Sequence, residues 1–264
     1  MTNCRTYGNA PYQVVVIHGG PGAPGSCAGI CRGLAESAGV LEILQSKNSS
    51  DALIKEMLAV MDAYQLRETV LIGHSWGAWL SFLFAGQHPE RVRKLILVGS
   101  GLFDEAYYPQ LIAARGVTAM PAEQAADVRA AGLSTSEDEY SPDNYCLLPN
   151  LPNDLIAFHQ EQFDALMAEI MPMRASGRLL RYANGIRCPV IAIHGRNDPH
   201  VLEGVKVPLE NHLPDFTMHV LDKCGHEPWK EYYAKNMFFN ILINACKTNE
   251  KKAVNGRYIG ECHP

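Results

Sequence analysis

Ser75 lies at the centre of a Gly-x-Ser-x-Gly sequence, GHSWG at residues 73–77. It follows the apolar run TVLI at residues 69–72 and precedes an apolar, helix-favouring run that begins at Trp76. A serine on a sharp strand-to-helix turn exposes its hydroxyl, and glycines two residues to each side let strand and helix approach closely. This context favours a nucleophilic serine over an ordinary capping serine in a strand–helix turn.

A nucleophilic serine needs a general base and a carboxylate that orients the base. Of the ten histidines, His226 fits best as the base, because it lies in a loop between the last predicted strand and the closing helix. Asp198 fits best as the acid, because it follows the strand predicted at residues 189–194. Asp104, which follows the strand before the long insertion, is the first alternative for the acid, and Asp222 is the second.

The loop after the first predicted strand reads HGGPG at residues 18–22. A tetrahedral intermediate needs two backbone N–H donors that form an oxyanion hole. The backbone N–H of Trp76, directly after the nucleophile, is the first candidate, and that of Gly20 is the second. His18 ends the first strand, where it is expected to pack or to brace a loop. The spacing of a phosphate-binding glycine loop is missing, so a nucleotide site is not expected here.

Short apolar runs alternate with helical patterns, which favours a mostly parallel, doubly wound α/β sheet with helices on both faces. The predicted strands lie at residues 12–18, 40–44, 69–72, 95–98, 189–194 and 216–221. The predicted helices lie at residues 51–64, with Ser50 as the N-cap, and at 76–87, 121–131, 153–171 and 227–246.

The strand rhythm stops between residues 102 and 184, which hold helix-favouring pieces and prolines. We therefore predict an α/β core at residues 1–101 and 185–264, with a helical lid inserted at residues 102–184. Such an insertion would cap the carboxyl edge of the sheet, where open α/β sheets bind ligands.

The composition argues against several classes of function. The 264 residues are 47% hydrophobic and 19% charged, with a net charge of −5, which is typical of a globular chain and not of a nucleic-acid-binding or membrane-surface protein. There is no apolar run of about 18 residues and no signal-peptide core, so a cytoplasmic protein is expected. The eight cysteines are scattered without metal-binding spacing, and neither a metal nor an organic cofactor is expected.

The glycine loop at residues 18–22, the motif at 73–77, Asp198 and His226, in this order, resemble the α/β-hydrolase family. The resemblance implies a mostly parallel eight-stranded sheet, a helical lid and a cofactor-free serine nucleophile. The pairing of HGGPG with GHSWG looks most like the proline iminopeptidase branch, which cleaves an N-terminal proline. On that resemblance, the acidic run Glu137, Asp138 and Glu139 is a candidate for holding the free amine, and a solvated surface run is the alternative.

Two features depart from that branch. Residues 44–50 read LQSKNSS, where the branch usually carries Asp-x-Arg-Gly-x-Gly-x-Ser, and the N-terminus leaves little room for an opening hairpin before residue 12. The broader expectation is a serine hydrolase that cleaves an ester or amide bond of a small molecule. The alternatives are a proline iminopeptidase-like aminopeptidase and a ligand-binding α/β-hydrolase with little turnover. The substrate, the choice between hydrolysis and acyl transfer, carbon–carbon cleavage and the oligomeric state stay open.

Overall fold

The computed structural model describes residues 3–135 and 140–247. Across these residues the chain forms one sheet of seven strands, in the order β1-β3-β2-β4-β5-β6-β7. The strands are β1 (Cys4–Tyr7), β2 (Tyr12–Ile17), β3 (Gly39–Ile43), β4 (Thr69–His74), β5 (Val92–Val98), β6 (Val190–Gly195) and β7 (Phe216–Leu221). β1 pairs with β3 in antiparallel orientation, and the other neighbours are parallel.

Helices cover both faces of the sheet. They are α1 (Ala28–Leu34), α2 (Ser50–Ala63), α3 (Trp76–Gln87), α4 (Tyr108–Arg115), α5 (Ala122–Ala130), α6 (Gln160–Ala175), α7 (Glu203–His212) and α8 (Lys235–Cys246). α2, α3, α6 and α7 supply buried residues to one apolar cluster, and α1 and α8 supply them to a second. None of the helices in the described ranges has the length and apolar character needed to cross a membrane.

The central strands alternate between the two clusters. Val15 and Ile17 of β2 join the cluster of α2 and α3, whereas Val14 and Val16 join the cluster of α1 and α8. Successive side chains of a strand point to opposite faces, so a strand covered on both faces must be apolar throughout. This explains why β2, β4 and β5 contain continuous apolar runs in the sequence. Because these strands pair in parallel, their carboxyl ends lie at the same edge of the sheet.

The α/β class and the parallel sheet predicted from sequence are confirmed, with differences in detail. The described residues form seven strands, not the eight that the resemblance implied. The short N-terminus still forms an extra strand, β1, but this strand pairs with β3 at the edge of the sheet and not with β2. The boundaries of the predicted core and lid at residues 101 and 185 stay a prediction.

Three helix starts were predicted wrongly. Ser49, not Ser50, is the N-cap of α2, because the Ser49 hydroxyl accepts the N–H of Ala52 at 3.4 Å. α6 begins at residue 160, not at 153, because the preceding segment is held extended against the loop after β2, where the N–H of His159 donates to the Gly22 carbonyl at 2.8 Å. α8 begins at residue 235, not at 227, after a 3-10 turn at Pro228–Lys230.

Candidate active site

Ser75 lies between the end of β4 and the start of α3, with φ 54° and ψ −119°. L-residues rarely adopt a positive φ, and the surrounding structure must hold them there. A β-carbon on Gly73 would lie 2.2 Å from the carbonyl oxygen of Gly77, and a β-carbon on Gly77 would lie 2.3 Å from the carbonyl oxygen of Ile17. Both glycines are therefore required for the tight packing of this turn, in which Ser75 is half-buried.

The glycine-rich loop after β2 lies against Ser75. A β-carbon on Gly19 would come within 3.0 Å of the Ser75 β-carbon, and Gly20 has a φ of 116°, which L side chains rarely adopt. Trp76 is the first residue of α3, and the first backbone N–H groups of a helix have no partner within it. The structure thus brings the loop that contains Gly20 next to Ser75 and Trp76.

Gln45, which follows β3, ties this loop to the start of α3. Its side-chain amide donates to the carbonyl of His18 at 2.8 Å, and its side-chain oxygen accepts the indole N–H of Trp76 at 2.8 Å. The backbone N–H of Gln45 donates to Nε2 of His18 at 3.1 Å, while Nδ1 of His18 lies 2.8 Å from the carbonyl of Gly19. Burial lowers the pKa of His18 to about 4, so the ring is neutral and accepts through Nε2. The predicted bracing role of His18 agrees with these contacts.

Asp198 and His226 form a buried hydrogen-bonded pair. Asp198 follows β6, His226 lies in the loop between β7 and α8, and Asp198 Oδ2 is 2.8 Å from His226 Nδ1. Because a carboxylate only accepts hydrogen bonds, Nδ1 of His226 carries the proton and Nε2 is free to accept one. Neither alternative acid reaches His226: Asp104 caps a 3-10 turn through Ala106 N at 2.9 Å, and Asp222 pairs with an arginine at the surface.

The two groups shift each other's pKa. Burial raises the pKa of Asp198, but the neighbouring histidines, His226 first, outweigh burial and hold this pKa well below its usual range. Burial lowers the pKa of His226, but the Asp198 carboxylate outweighs it and raises this pKa above its ordinary value. The pair is therefore built to stabilise a positive charge on the imidazole.

Three more histidines surround the pair. His200 donates to Asp198 Oδ1 through its backbone N and its Nδ1, both at 2.9 Å, and its ring centroid is 4.7 Å from that of His226. His194 Nε2 lies 3.7 Å from Asp198 Oδ2 and 2.7 Å from the carbonyl of His200. His74 Nε2 lies 3.1 Å from the carbonyl of His226, so its side chain is directed away from the Ser75 hydroxyl, as predicted.

A buried carboxylate fixes the loop that carries His226. Glu231 accepts the N–H of Gly225 at 2.9 Å and the N–H groups of Tyr145 and Cys146 at 2.8 and 2.6 Å. The backbone N–H of His226 itself donates to the carbonyl of Asp143 at 2.7 Å. Segment 143–146, between α5 and α6, and the loop of His226 are therefore joined through one acidic side chain.

The loop of His226 lies beside the Ser75 turn. Val98 accepts the backbone N–H of Ser75 at 3.0 Å, and a β-carbon on the next residue, Gly99, would lie 3.3 Å from Nδ1 of His226. Within residues 3–135 and 140–247 the Ser75 hydroxyl forms no hydrogen bond, so a contact between Ser75 Oγ and His226 Nε2 is not made in this structure. Such contacts often tighten only when substrate binds.

Three residues that contact this region were not among the predicted site residues: Gln45, His200 and Glu231. His200 could have been found, because it stands two residues after Asp198 in GRNDPH, whereas Gln45 and Glu231 lie in no recognisable motif. The acidic run Glu137, Asp138 and Glu139 lies outside the described residues.

A family model described as "alpha/beta hydrolase fold" matches residues 12–231, which is most of the chain. The chain belongs to the α/β-hydrolase fold family. This α/β-hydrolase is similar to a 2-hydroxy-6-oxononadienedioate/2-hydroxy-6-oxononatrienedioate hydrolase of Pseudomonas sp., at 25% identity over 90% of this chain and 88% of the relative. It is also similar to a 2-hydroxymuconate semialdehyde hydrolase of Pseudomonas putida, at 27% identity over 75% of this chain and 69% of the relative.

Solved structures share the fold of this α/β-hydrolase. The meta-cleavage product hydrolase CumD of Pseudomonas fluorescens superposes with a TM-score of 0.61 at 19% identity, covering 92% of both chains. The proline iminopeptidase of Mycobacterium smegmatis superposes with a TM-score of 0.65 at 19% identity, covering 91% of this chain and 92% of that one. The predicted family is confirmed by the family model. At 19% identity, the solved structures support the fold and no more.

Proposed function

We propose that this α/β-hydrolase is a serine hydrolase with Ser75 as nucleophile, His226 as general base and Asp198 as the orienting acid. The observation that carries the proposal is the 2.8 Å contact between the buried Asp198 carboxylate and His226 Nδ1, which leaves Nε2 as the acceptor. The positive φ of Ser75 on its glycine-flanked turn supports the same assignment.

The reaction follows from these roles. Ser75 Oγ attacks the substrate carbonyl while its proton passes to Nε2 of His226, and the Asp198 carboxylate stabilises the imidazolium that forms. The backbone N–H groups of Gly20 and Trp76 donate to the oxyanion. His226 then gives its proton to the leaving group and takes a proton from water, and the resulting hydroxide attacks the acyl carbonyl. As the bond between the acyl carbon and Ser75 Oγ breaks, His226 returns that proton to Ser75 Oγ.

The substrate that we propose is a small molecule with an ester or amide bond. A cavity of about 560 Å³ lies beside Gln45 and is lined on the other side by residues of the segment before α6, among them Phe158 and His159. Its lining includes neither Ser75 nor His226, and its link to the proposed site is Gln45, whose side-chain oxygen accepts the indole N–H of Trp76. Cavities of this volume bind ligands of drug size. Four statements made from the sequence stay predictions: a small-molecule partner, a cytoplasmic location, an aminopeptidase activity and a ligand-binding role with little turnover.

A carboxylated carbonyl compound is the second candidate substrate. The curated relatives are named as hydrolases of a dioate and of a hydroxymuconate semialdehyde, and both names denote acids that also carry a carbonyl group. Arg115 Nη2 lies 3.4 Å from His200 Nε2, its Nε lies 3.5 Å from Asp143 Oδ1, and its side chain is 45% exposed. A cation beside the Asp198–His226 pair would attract an anionic substrate.

The proposal is tested with a fluorophosphonate probe and intact-mass readout on the wild-type chain, Ser75→Ala and His226→Gln, with exposed Ser37→Ala as the matched control. We expect one adduct on the wild type and on Ser37→Ala, none on Ser75→Ala and strongly slowed labelling of His226→Gln. An adduct that persists on folded Ser75→Ala would overturn the assignment. A folded wild type without an adduct would favour the ligand-binding alternative. A panel of short esters, proline amides and carboxylated dienones then separates the substrate candidates.

A further inference from the structure

Asp198, His200 and His226 bring one carboxylate and two imidazoles together. Each histidine faces the carboxylate with Nδ1, at 2.9 Å from Oδ1 for His200 and 2.8 Å from Oδ2 for His226. One donor atom from each of the three residues lies within 4.8 Å of the other two, and the three side chains are almost fully buried. Among the residues that the structure describes, this is the one group of three potential metal ligands at such spacing.

This donor set suits a divalent transition metal. Two neutral imidazoles and one carboxylate are ligands that Zn²⁺ accepts, and they leave a fourth position for water or another group. The loop also holds the ligands in place without a metal, since the backbone N–H of His200 donates to Asp198 and its carbonyl contacts His194. A bound ion would replace the two hydrogen bonds that the imidazoles donate to Asp198.

We propose that Asp198, His200 and His226 form an inhibitory site for a divalent transition-metal ion such as Zn²⁺. Without the ion, Nδ1 of His226 carries a proton that it donates to Asp198. When the ion binds Nδ1, that proton leaves to solvent and a proton from solvent binds Nε2, so the ring stays neutral and no net proton is released. With Nε2 protonated, His226 cannot accept the proton of Ser75. Inhibition in this sense rests on the proposed function, whereas binding of the ion does not.

Arg115 opposes the ion. Its Nη2 lies 3.4 Å from Nε2 of His200, which accepts from it when Nδ1 carries the proton. Once Nδ1 of His200 binds the ion, Nε2 carries a proton and Arg115 must turn away, which its 45% exposed side chain allows. The positive charge of Arg115 also repels a dication, and the same residue pairs with Asp143 at 3.5 Å. Removing this charge ends the repulsion and leaves the Asp143 carboxylate without that partner, and both effects should strengthen binding.

The test is isothermal titration of the tag-free chain with Zn²⁺, followed by phosphonate labelling of Ser75 with and without Zn²⁺. His200→Phe keeps a ring against His226 but removes the ligand nitrogen, and His212→Gln removes a histidine outside the cluster. We expect one Zn²⁺ per chain in the wild type and in His212→Gln, and binding at least about tenfold weaker in His200→Phe. Arg115→Met, which keeps all three ligands, should bind about threefold more tightly or better.

The results distinguish failure of the metal site from failure of the proposed function. Zn²⁺ should slow Ser75 labelling at the concentration at which it binds, and EDTA should restore the metal-free rate of each variant. Labelling of Ser75 with neither binding nor slowing by Zn²⁺ would overturn the metal site and leave the serine hydrolase standing. Equal Zn²⁺ affinity in folded His200→Phe and wild type would also overturn it. One Zn²⁺ that depends on His200, on a chain whose Ser75 never labels, would support the metal site and reject the proposed function.

Discussion

Replacing Glu231 by glutamine should loosen the loop that carries His226. Oε1 of Glu231 accepts the N–H groups of Tyr145 and Gly225, and Oε2 accepts that of Cys146 at 2.6 Å. A glutamine oxygen can keep the first two contacts, but its NH₂ then faces the Cys146 N–H. The variant loses one hydrogen bond to a charged acceptor, about 1.5–3 kcal/mol, and leaves a buried N–H unpaired, about 1–3 kcal/mol. Burying a neutral side chain offsets part of this loss, so we expect a net destabilisation of about 2 kcal/mol.

Urea unfolding and phosphonate labelling measure the two consequences. With a slope of about 3 kcal/mol/M, a loss of about 2 kcal/mol moves the unfolding midpoint down by about 0.7 M. Labelling of Ser75 should slow by about tenfold, because a displaced base loses its alignment with the nucleophile. The control for stability is Glu227→Gln, which breaks a partly exposed pair with Lys230 and should cost at most about 1 kcal/mol. Because the Glu227 carboxylate also raises the pKa of His226, the labelling rates are compared at a pH well above that pKa.

Unfolding of Glu231→Gln at the wild-type urea concentration, together with labelling at the wild-type rate, would refute the role of Glu231 in holding the loop of His226. A stability loss without slower labelling would restrict Glu231 to holding segment 143–146 and would separate it from the positioning of His226.

Three further predictions concern the Ser75 turn and its base. Gly77→Ala should lower the melting temperature by more than 5 °C, because its β-carbon would lie 2.3 Å from a backbone oxygen of β2. The control Gly116→Ala, whose β-carbon would have no atom nearer than 3.4 Å, should leave the melting temperature nearly unchanged. Thermal denaturation of both variants tests this prediction. The labelling rate should rise with pH as His226 loses its proton, with a midpoint above the ordinary histidine pKa because the Asp198 carboxylate outweighs burial. In Asp198→Asn the lowering by burial is opposed by the weaker effects of Asp143 and Glu227, so the midpoint should fall. A pH profile that is the same for both proteins would contradict that cause. Gln45→Leu should lower the free energy of unfolding in urea by about 1–3 kcal/mol, because the buried His18 carbonyl and the Trp76 indole N–H lose their partner. Labelling should slow by at least about tenfold, and unchanged labelling would show that the glycine loop keeps its position without Gln45.

The parts of the site that local sequence encodes were predictable. The turn at Ser75 is encoded by five consecutive residues, and its two glycines are required because a β-carbon at either position would clash with a backbone oxygen. Asp198 and His226 could be chosen because each follows a strand whose carboxyl end lies at the same sheet edge, a consequence of parallel topology. The contributions of Gln45 and Glu231 depend on how distant loops meet, and neither residue stands in a pattern that marks such a meeting.

The helix α1 illustrates the same limit in the fold. Its seven residues include Gly29 and Gly33, which lower helix propensity. A β-carbon on Gly29 would lie 2.6 Å from the Trp229 ring, and one on Gly33 would lie 2.0 Å from the ring of Phe239. Packing against these aromatic rings therefore requires glycines inside α1. Because helix propensity counts these glycines as unfavourable, it does not predict this helix from the sequence.

The separation of Ser75 from His226 along the chain has a consequence for biosynthesis. Ser75 lies in the first third of the sequence, whereas β7, the loop of His226 and the contacts of Glu231 with that loop come near the end of the described residues. At about 5–20 residues added per second, the ribosome needs on the order of 10 s to proceed from one to the other. If the proposed function holds, the nascent polypeptide carries Ser75 for most of translation without the histidine that would activate it, and a truncated product that ends before β7 should not label with the phosphonate.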